Sequence, residues 1–300
     1  MTPLRAKYIR DLTVRGRAPR TQRAYTRYVA ELACYYKRSP EQISYEEVTN
    51  WLYHLIKERQ LSASSINVAV NAVRFLYAIT LGRDTEGLLR AVPHIKHAIR
   101  RAEVYARSEL EAILSAPSQP RDRAFLMTVY ACGLRISEAR ELKISDIDRP
   151  RMQLRVRKGK GAKERVLPLS KRLLKELGDY WRAQRLGYSS QNIAWLFVGE
   201  TAGEPIGIST AQKLYNRAVQ KSGVRRKGGI HVLRHSFATH LIESGVELNL
   251  VQRLMGHSSL LTTSIYLHVT QSRLGEVRSP LDLIDTSHPQ GLGQSENPSL

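Results

Sequence analysis

Apolar residues recur at intervals of three and four through the first 83 residues, a period that predicts amphipathic helices. The clearest helix follows Ser44-Tyr45-Glu46-Glu47, because a serine followed three positions later by a glutamate is typical of a helix start. A second stripe follows Pro19, a third ends near Gly82, and a shorter helix is expected over residues 3–14. The pattern predicts an N-terminal domain of four helices, which we place at residues 1–90.

After a linker at residues 91–104, helical stripes are combined with alternating segments. Apolar and polar residues alternate over residues 151–157, and a second strand is expected at residues 165–169. Lys158-Gly159-Lys160-Gly161 lies between them and is typical of a hairpin turn. Helices are expected from Ser108, over residues 122–132 up to Gly133, from Ser137, near residues 173–181 and 211–218, from His231, and over residues 248–255 up to Gly256.

The expected fold class is mainly α with a small antiparallel β-sheet. A chain of 300 residues has room for two domains, since domains usually span roughly 100–200 residues. We therefore expect the helical N-terminal domain to be followed by an α+β domain over residues 105–285. Proline, glycine, serine and glutamine are frequent in residues 286–300, which predicts a disordered tail.

Charge is strongly positive and uneven along the chain. Lys and Arg number 47 against 27 Asp and Glu, a net charge of +20. Residues 1–40 hold 10 basic and 2 acidic side chains, and residues 151–227 hold 18 and 5, so the remainder is nearly neutral. Two separate basic blocks suit a long polyanion, and a nucleic acid is favoured over a membrane surface because no basic amphipathic anchor helix is evident.

The sequence gives no sign of export or of a membrane anchor. Its N-terminus lacks the apolar run of a secretory signal, and its longest apolar stretch is far shorter than the ~18 residues that span a bilayer. A cytoplasmic protein associated with the bacterial nucleoid is therefore expected. Cys34 and Cys132 are too few for a disulfide framework or a four-thiolate zinc site, and both are expected to be buried, reduced thiols.

The residue types needed to cut a phosphodiester without a metal lie between His231 and Tyr266. A deprotonated tyrosine is a competent nucleophile, and arginine and histidine can stabilise charge on phosphoryl oxygens. His231 and Arg234 are three residues apart, which places them on one face of a helix. Gly256 presents His257 just past a helix end. Arg135 lies at a junction between two expected helices, where it can point into a cleft.

The hairpin carries several lysines and could bring one of them to a leaving oxygen. Its Gly-x-Gly turn is not a nucleotide-binding loop, since no Gly-Lys-Ser/Thr opens a helix there. A zinc site at His231, His235 and His240 is rejected, because Val232 stands where a metalloprotease helix has glutamate and no acidic third ligand is near.

Basic residues outside these positions are candidates for DNA contacts. Five arginines, from Arg15 to Arg27, cluster near the start of the second helix and could bind phosphates. A solvated helix face is the alternative interpretation of these five residues. The expected DNA-binding residues are Arg15, Arg17, Arg20, Arg23, Arg27, Arg157, Lys158, Lys163, Arg165, Arg225, Arg226 and Lys227.

In their order and spacing, four segments closely resemble the tyrosine recombinase (phage integrase) family, and within it the Xer and integron-integrase branch. The resemblance is strong in residues 105–275 and looser in the N-terminal helices, which are similar to the family's core-binding domain. The segments are Gly133-Leu134-Arg135-Ile136-Ser137-Glu138, Gly159-Lys160-Gly161-Ala162-Lys163-Glu164-Arg165, His231-Val232-Leu233-Arg234-His235-Ser236-Phe237-Ala238-Thr239-His240, and Leu254-Met255-Gly256-His257 to Ile265-Tyr266.

The resemblance implies a role for each candidate residue in a catalytic domain. Tyr266 would attack a DNA phosphorus to give a 3′-phosphotyrosyl link and a free 5′-hydroxyl. Arg135, Arg234 and His257 would hold the nonbridging oxygens. His231 would act as a general acid/base, and Lys160 would protonate the departing 5′-oxygen, with Lys158 and Lys163 as alternatives on the same turn. No ATP, metal or organic cofactor is implied.

The resemblance also implies partners, namely double-stranded DNA recombination sites and a homotetramer on two duplexes that exchanges strands through a Holliday junction. Away from DNA, a monomer or a weak dimer is the alternative. The apolar segment Leu281-Asp282-Leu283-Ile284 is expected to dock either on a neighbouring protomer or on its own. Two rival functions remain, a type IB topoisomerase that relaxes DNA and a non-catalytic, site-specific DNA-binding accessory protein.

Overall fold

The structure is a computed structural model, and contacts along its backbone divide the chain into two compact units, Met1–Arg100 and Arg101–Leu300. The residues that it describes are 2–95, 103–157, 164–185, 194–201 and 203–256.

All regular secondary structure among the described residues of the first unit is helical, and a π-helical turn at Leu76–Thr80 extends its fourth helix. Trp51, Leu32 and Tyr77 are among the fully buried side chains of its core. The helix bounds are α1 Pro3–Val14, α2 Pro19–Tyr36, α3 Tyr45–Lys57, α4 Ala63–Phe75 and α5 Thr85–Ala91.

Side-chain caps explain where α3 and α5 begin. The Ser44 hydroxyl accepts a hydrogen bond from the Glu47 amide at 3.2 Å, and the Glu47 carboxylate accepts one from the Ser44 amide at 2.9 Å, as the sequence predicted. The Asp84 carboxylate accepts hydrogen bonds from the amides of Glu86 and Gly87. Helix α5 was not predicted, and this cap explains why seven residues suffice to form it.

The second unit combines helices with a small antiparallel sheet. Its strands are β1 Ile147–Asp148, β2 Gln153–Val156 and β3 Arg165–Pro168, in the order β1-β2-β3. The predicted hairpin pairs Val156 with Arg165, and Leu154 and Val156 are buried. The helix bounds are α6 Arg107–Ser115, α7 Pro120–Ala131, α8 Ile136–Arg140, α9 Lys171–Arg185, α10 Ile208–Ser222, α11 His231–Glu243 and α12 Leu248–Met255.

The predicted caps Ser108 and Ser137 are wrong, because both helices begin earlier. Helix α6 begins at Arg107, and the Glu109 carboxylate accepts a hydrogen bond from the Ala106 amide at 2.7 Å. Helix α8 begins at Ile136, and the Glu138 carboxylate accepts one from the Arg135 amide at 2.9 Å. A glutamate in the first turn satisfies the exposed amide in both cases, so no serine cap is needed.

The expectation that both cysteines are buried is half wrong. Cys132 lies in the core of the second unit, and burial raises the pKa of its thiol to about 12. Cys34 is exposed. It lies on α2, whose buried positions are Tyr28, Val29 and Leu32, and it therefore falls on the solvent side of that helix.

None of the helices among the described residues combines the length and apolar character needed to cross a membrane.

Candidate active site

A close approach of α11 to the end of α7 brings Arg234 to the α7–α8 turn. Gly133 has a φ of +55°, and a Cβ added there would lie 2.2 Å from Cδ1 of Phe237. Only glycine therefore fits, on grounds of both backbone conformation and space. The Gly133 carbonyl oxygen accepts a hydrogen bond from the Arg234 guanidinium, whose side chain is 6% exposed.

Three arginines from distant parts of the sequence surround the carboxylate of Glu138, whose side chain is 2% exposed. Arg135 donates from Nη1 to Oε1 at 2.7 Å. Arg165 donates from Nη2 to Oε2 at 2.7 Å and from Nη1 to Oε1 at 3.1 Å, and Nη1 of Arg234 lies 3.7 Å from Oε2. One buried carboxylate thus orients three guanidinium groups, and the cluster keeps an excess of positive charge.

The charge state of Glu138 follows from these partners. Burial by itself raises the pKa of the carboxyl, but hydrogen bonds and charge from Arg165, together with hydrogen bonds from the backbone and side chain of Arg135, outweigh burial and hold the pKa at about 2. Glu138 is therefore ionised at neutral pH and acts as a fixed hydrogen-bond acceptor for the arginines.

The same three arginines also bind three consecutive carbonyl groups at the end of α12. Arg165 Nε donates to the Leu254 oxygen at 2.9 Å, Arg234 Nη2 donates to the Met255 oxygen, and Arg135 Nη2 lies 3.3 Å from the Gly256 oxygen. Carbonyls at a helix C-terminus lack intrahelical partners and carry partial negative charge, which suits cationic donors.

Gly256 ends α12 as predicted, with a φ of +60°. A Cβ at this position would lie 3.0 Å from Nη1 of Arg165, so the glycine also allows the guanidinium to approach the chain closely. His257 is the next residue in the sequence. The chain therefore leaves this cluster one residue before a predicted phosphate ligand.

Arg135 is the most accessible of the three guanidinium groups. Its side chain is 24% exposed, against 10% for Arg165 and 6% for Arg234. Since Glu138 neutralises one of the three positive charges, the cluster is suited to an anion that approaches from the side of Arg135. Donors already held in position stabilise developing negative charge without reorganising, which is the requirement for phosphoryl chemistry.

The histidines of α11 occupy different environments. His231 is exposed at the first position of the helix, and Arg234 one turn later is buried. Burial, with the nearby charges of His231 and Arg234, lowers the pKa of His235, and Nδ1 of His240 lies 2.9 Å from the Tyr130 hydroxyl. Within the described ranges, no group of three or more His, Cys, Asp or Glu side chains could hold a metal ion.

Most of the expected DNA-binding arginines that the structure describes are exposed, and three of the expected basic residues are bound to acceptors within the protein. Arg165 is bound to Glu138 and Leu254, and Nζ of Lys227 donates to the Val104 oxygen at 2.9 Å and to Glu109 at 2.7 Å. Arg157 is bound to the buried Asp146 and keeps part of its side chain exposed. The other expected arginines in the described ranges, all of them exposed, are Arg15, Arg17, Arg20, Arg23, Arg27, Arg225 and Arg226.

Several predicted residues lie outside the described part of the chain. These are Lys158, Lys160, Lys163, His257 and Tyr266, together with the segment 281–284 and the tail at residues 286–300.

Glu138 belongs to the site but was not predicted from the sequence as one of its residues. A signal was present, since Glu138 follows Arg135 by three positions at a helix start, where a glutamate commonly accepts a hydrogen bond from the backbone. That it would also bind Arg165 and Arg234 depends on contacts between segments far apart in sequence.

Comparison with known proteins agrees with this architecture. Residues 103–273 match the phage integrase family, and residues 4–86 match the phage integrase N-terminal SAM-like domain. A solved structure of the XerH site-specific recombinase, bound to its difH substrate in a pre-cleavage complex, is similar with a TM-score of 0.64 and 26% identity, over 85% of this chain and 76% of that one.

Two relatives are similar over nearly the whole length. A putative integrase/recombinase of Sinorhizobium fredii, y4qK, is 36% identical over 289 residues, which cover 96% of this chain and 92% of the relative. The tyrosine recombinase XerA of Thermococcus kodakarensis is 34% identical over 278 residues, 91% of this chain and 93% of the relative.

The fold and the matches define a tyrosine recombinase, an enzyme class that cleaves and rejoins DNA. The chain belongs to the phage integrase family. The resemblance, the fold class and the enzyme class predicted from the sequence are thereby confirmed. The two rival functions, DNA relaxation and non-catalytic binding, are not favoured.

Proposed function

We propose that the chain recombines DNA at specific sites through a covalent 3′-phosphotyrosyl intermediate on Tyr266. The observation that carries this proposal is the arrangement of Arg135 and Arg234 around Glu138 at the end of α12, one residue before His257. Positive charge held in a fixed arrangement beside a chain segment that leads to a histidine and a tyrosine is suited to phosphoryl transfer.

In the proposed reaction, the Tyr266 oxygen attacks phosphorus and the bond from phosphorus to the 5′-oxygen breaks. Lys160 donates a proton to the departing 5′-oxygen, with Lys158 and Lys163 as alternatives on the same turn, and His231 is the general acid/base that accepts the proton of the Tyr266 hydroxyl. Arg135, Arg234 and His257 bind the nonbridging oxygens. A 5′-hydroxyl from the partner strand then attacks the phosphotyrosine, so one phosphodiester replaces another and the exchange needs no nucleotide or other external energy source.

The arginine cluster would stabilise the pentavalent transition state, because negative charge grows on the nonbridging oxygens there. Glu138 holds Arg135 and Arg234 in position before substrate arrives, so little reorganisation accompanies the reaction. Its negative charge also brings three like charges close together. Without the carboxylate, mutual repulsion would displace the guanidinium groups from the positions where phosphate has to bind.

DNA recognition is assigned to seven exposed arginines, five on the first unit and two on the second. Arg15, Arg17, Arg20, Arg23 and Arg27 are exposed on the first unit, and Arg225 and Arg226 on the second. Exposed arginines bind phosphates at sequence-independent positions and set the register of a protein on a duplex. The similarity to XerH, which was solved on its difH substrate, supports DNA recombination sites as partners. We propose that these sites are double-stranded and that the protein acts at the nucleoid.

Strand exchange between two duplexes requires four active sites, and we propose a homotetramer that assembles on paired sites. Sedimentation of the protein with duplexes that carry its site should give complexes of four protomers on two duplexes. Complexes that never exceed two protomers under conditions of strand exchange would refute the tetramer. The same experiment without DNA distinguishes a free monomer from a weak dimer.

Tyr266→Phe tests the nucleophile. On a nicked suicide substrate, in which the fragment that leaves cannot return, the wild-type protein should accumulate a covalent adduct, and the variant should bind DNA and form none. Tyr53→Phe is a matched control, because Tyr53 is exposed on the first unit and the same hydroxyl is removed. Adducts that persist with Tyr266→Phe would exclude Tyr266 as the nucleophile.

A further inference from the structure

Arg165 uses all three nitrogens of its guanidinium group within the protein. Nη1 and Nη2 bind the two oxygens of Glu138 at 3.1 and 2.7 Å, and Nε binds the Leu254 oxygen at 2.9 Å. Bidentate binding of a carboxylate by arginine fixes both distance and orientation. These contacts use three of the five N–H groups of the guanidinium, and the side chain is only 10% exposed, so little of it is open to a phosphate.

The position of Arg165 joins three parts of the second unit. It is the first residue of β3 and pairs with Val156 at the base of the β2–β3 hairpin. Through Glu138 it reaches the start of α8, and through Leu254 it reaches the last turn of α12, which packs against β3. No other side chain among the described residues of the cluster donates both to Glu138 in bidentate fashion and to the α12 end.

Arg165 also controls what Glu138 can do. Both carboxylate oxygens are occupied by Arg165, and Arg135 shares Oε1 through a single contact. If Arg165 were absent, the buried carboxylate would need other donors, and Arg135 and Arg234 are the nearest. Both would be drawn towards Glu138 and away from an incoming phosphate, because an unpaired buried charge is costly.

We propose that Arg165 is a positioning residue for strand cleavage: it holds Glu138 and the end of α12 at the base of the hairpin so that Arg135 and Arg234 stay aimed at the phosphate, and it does not contact DNA. The proposal rests on the proposed function, and it replaces the expectation that Arg165 binds a DNA phosphate.

The two roles differ in their salt dependence. Each phosphate neutralised by a basic side chain contributes about 0.9 to the slope of log K against log salt concentration. A DNA-binding Arg165 would therefore lower the slope by about 0.9 when it is replaced. A positioning Arg165 would leave the slope unchanged and lower the rate constant of adduct formation at saturating DNA.

The experiment compares Arg165→Met and Arg165→Lys with Arg155→Met. Methionine removes the charge, whereas lysine keeps the charge but cannot make three directed contacts at once. Arg155 is an exposed residue on the neighbouring strand β2 and serves as the matched control. For each variant we would measure the salt slope, the rate constant of adduct formation on a nicked substrate at saturating DNA, and thermal unfolding.

We expect wild-type salt slopes for all three variants. The cleavage rate constant should fall about 100-fold in Arg165→Met, since a displacement of about 1 Å costs that much, with partial rescue in Arg165→Lys and no change in Arg155→Met. If Arg165→Met does not fold, Arg165→Lys gives the result alone. Rates are compared at temperatures where each variant is folded, so lower stability by itself does not change them.

Two results would overturn the proposal. The first is a salt slope reduced by about 0.9 in Arg165→Met, the variant that removes the charge, which would return Arg165 to the DNA interface. The second is an unchanged cleavage rate in folded Arg165→Lys and Arg165→Met. A wild-type protein that forms no adduct would instead contradict the proposed function, so the two failures are distinguishable.

Discussion

The arginines at positions 15–27 lie exposed on the first unit, whereas Arg135, Arg165 and Arg234 surround one buried glutamate in the second. Residue type and charge are the same in both regions. In the first, the side chains are open to solvent, and we propose that each contributes to DNA binding through its charge. In the second, each guanidinium is held by named acceptors, and its position matters more than its charge. Burial and hydrogen-bond partners therefore distinguish the exposed arginines that we propose bind DNA from the arginines that the protein itself holds in position.

The largest effect is expected from Arg135→Gln. Loss of one fixed donor to the phosphoryl oxygens should lower the cleavage rate constant by about 100- to 1000-fold, because such donors act chiefly in the transition state. Single-turnover adduct formation at saturating DNA measures this. Arg151→Gln, which removes a 76% exposed arginine from the same unit, is the control and should cleave normally. An Arg135→Gln enzyme with a wild-type rate would erase the distinction between the two regions.

Glu138→Gln should destabilise the second unit by about 3–5 kcal/mol, since it removes the carboxylate that compensates buried guanidinium groups. Denaturant unfolding measures the loss. Glu111→Gln is the matched control, because the Glu111 side chain is 68% exposed and its ion pair with Arg172 is long, at 3.6 Å. Surface pairs of this kind contribute about 0–1 kcal/mol. Equal losses in the two variants would contradict the structural role of Glu138.

The same variant also gives a pH test. In the folded protein the pKa of Glu138 is about 2, below its ordinary value of 4.5, so its stabilising contribution is complete above about pH 4.5 and is lost as the pH falls towards 2. The difference in unfolding free energy between wild type and Glu138→Gln should shrink across that interval. A difference that stays constant from neutral pH down to about pH 2 would show that the Glu138 carboxyl does not carry the effect.

How far the sequence predicts this molecule depends on whether a feature is local. Helix α3 was predicted because its apolar period and the Ser44–Glu47 cap lie within a few residues of each other. Helix α5 was missed because seven residues with Gly87 inside them give little periodicity, and the Asp84 cap becomes visible only in the structure. The β2–β3 hairpin was predicted from alternation and from its glycines.

The cluster of Arg135, Arg165 and Arg234 could be predicted from the sequence only in part. Arg135 and Arg234 were predicted as site residues from motifs, but the partners of Arg165 and Lys227 are 27 and 118 residues away in sequence, at Glu138 and Glu109. Charge composition indicated a polyanionic partner, and it could not indicate which basic residues the fold itself uses. Arg165 and Lys227 were therefore predicted to bind DNA, and only the tertiary contacts show that they are bound within the protein.

The smallest effect is expected from single exposed arginines. Arg20→Gln should lower the salt slope of DNA binding by about 0.9, because one phosphate is no longer neutralised, and leave the cleavage rate constant at saturating DNA unchanged. Lys57→Gln is the control in the same unit, because Lys57 lies on α3 and not among the arginines at positions 15–27. A drop in cleavage rate at saturating DNA would show that Arg20 does more than bind, and the contrast with Arg135 would then fail.

The central claim, that the chain cleaves DNA through Tyr266, is tested most directly by mass spectrometry of the protein trapped on a nicked substrate. After digestion of the protein and the DNA, the account predicts one modified peptide, with a nucleotide joined through its 3′-phosphate to the oxygen of Tyr266. A nucleotide attached to any other side chain, or joined through a 5′-phosphate, would contradict it.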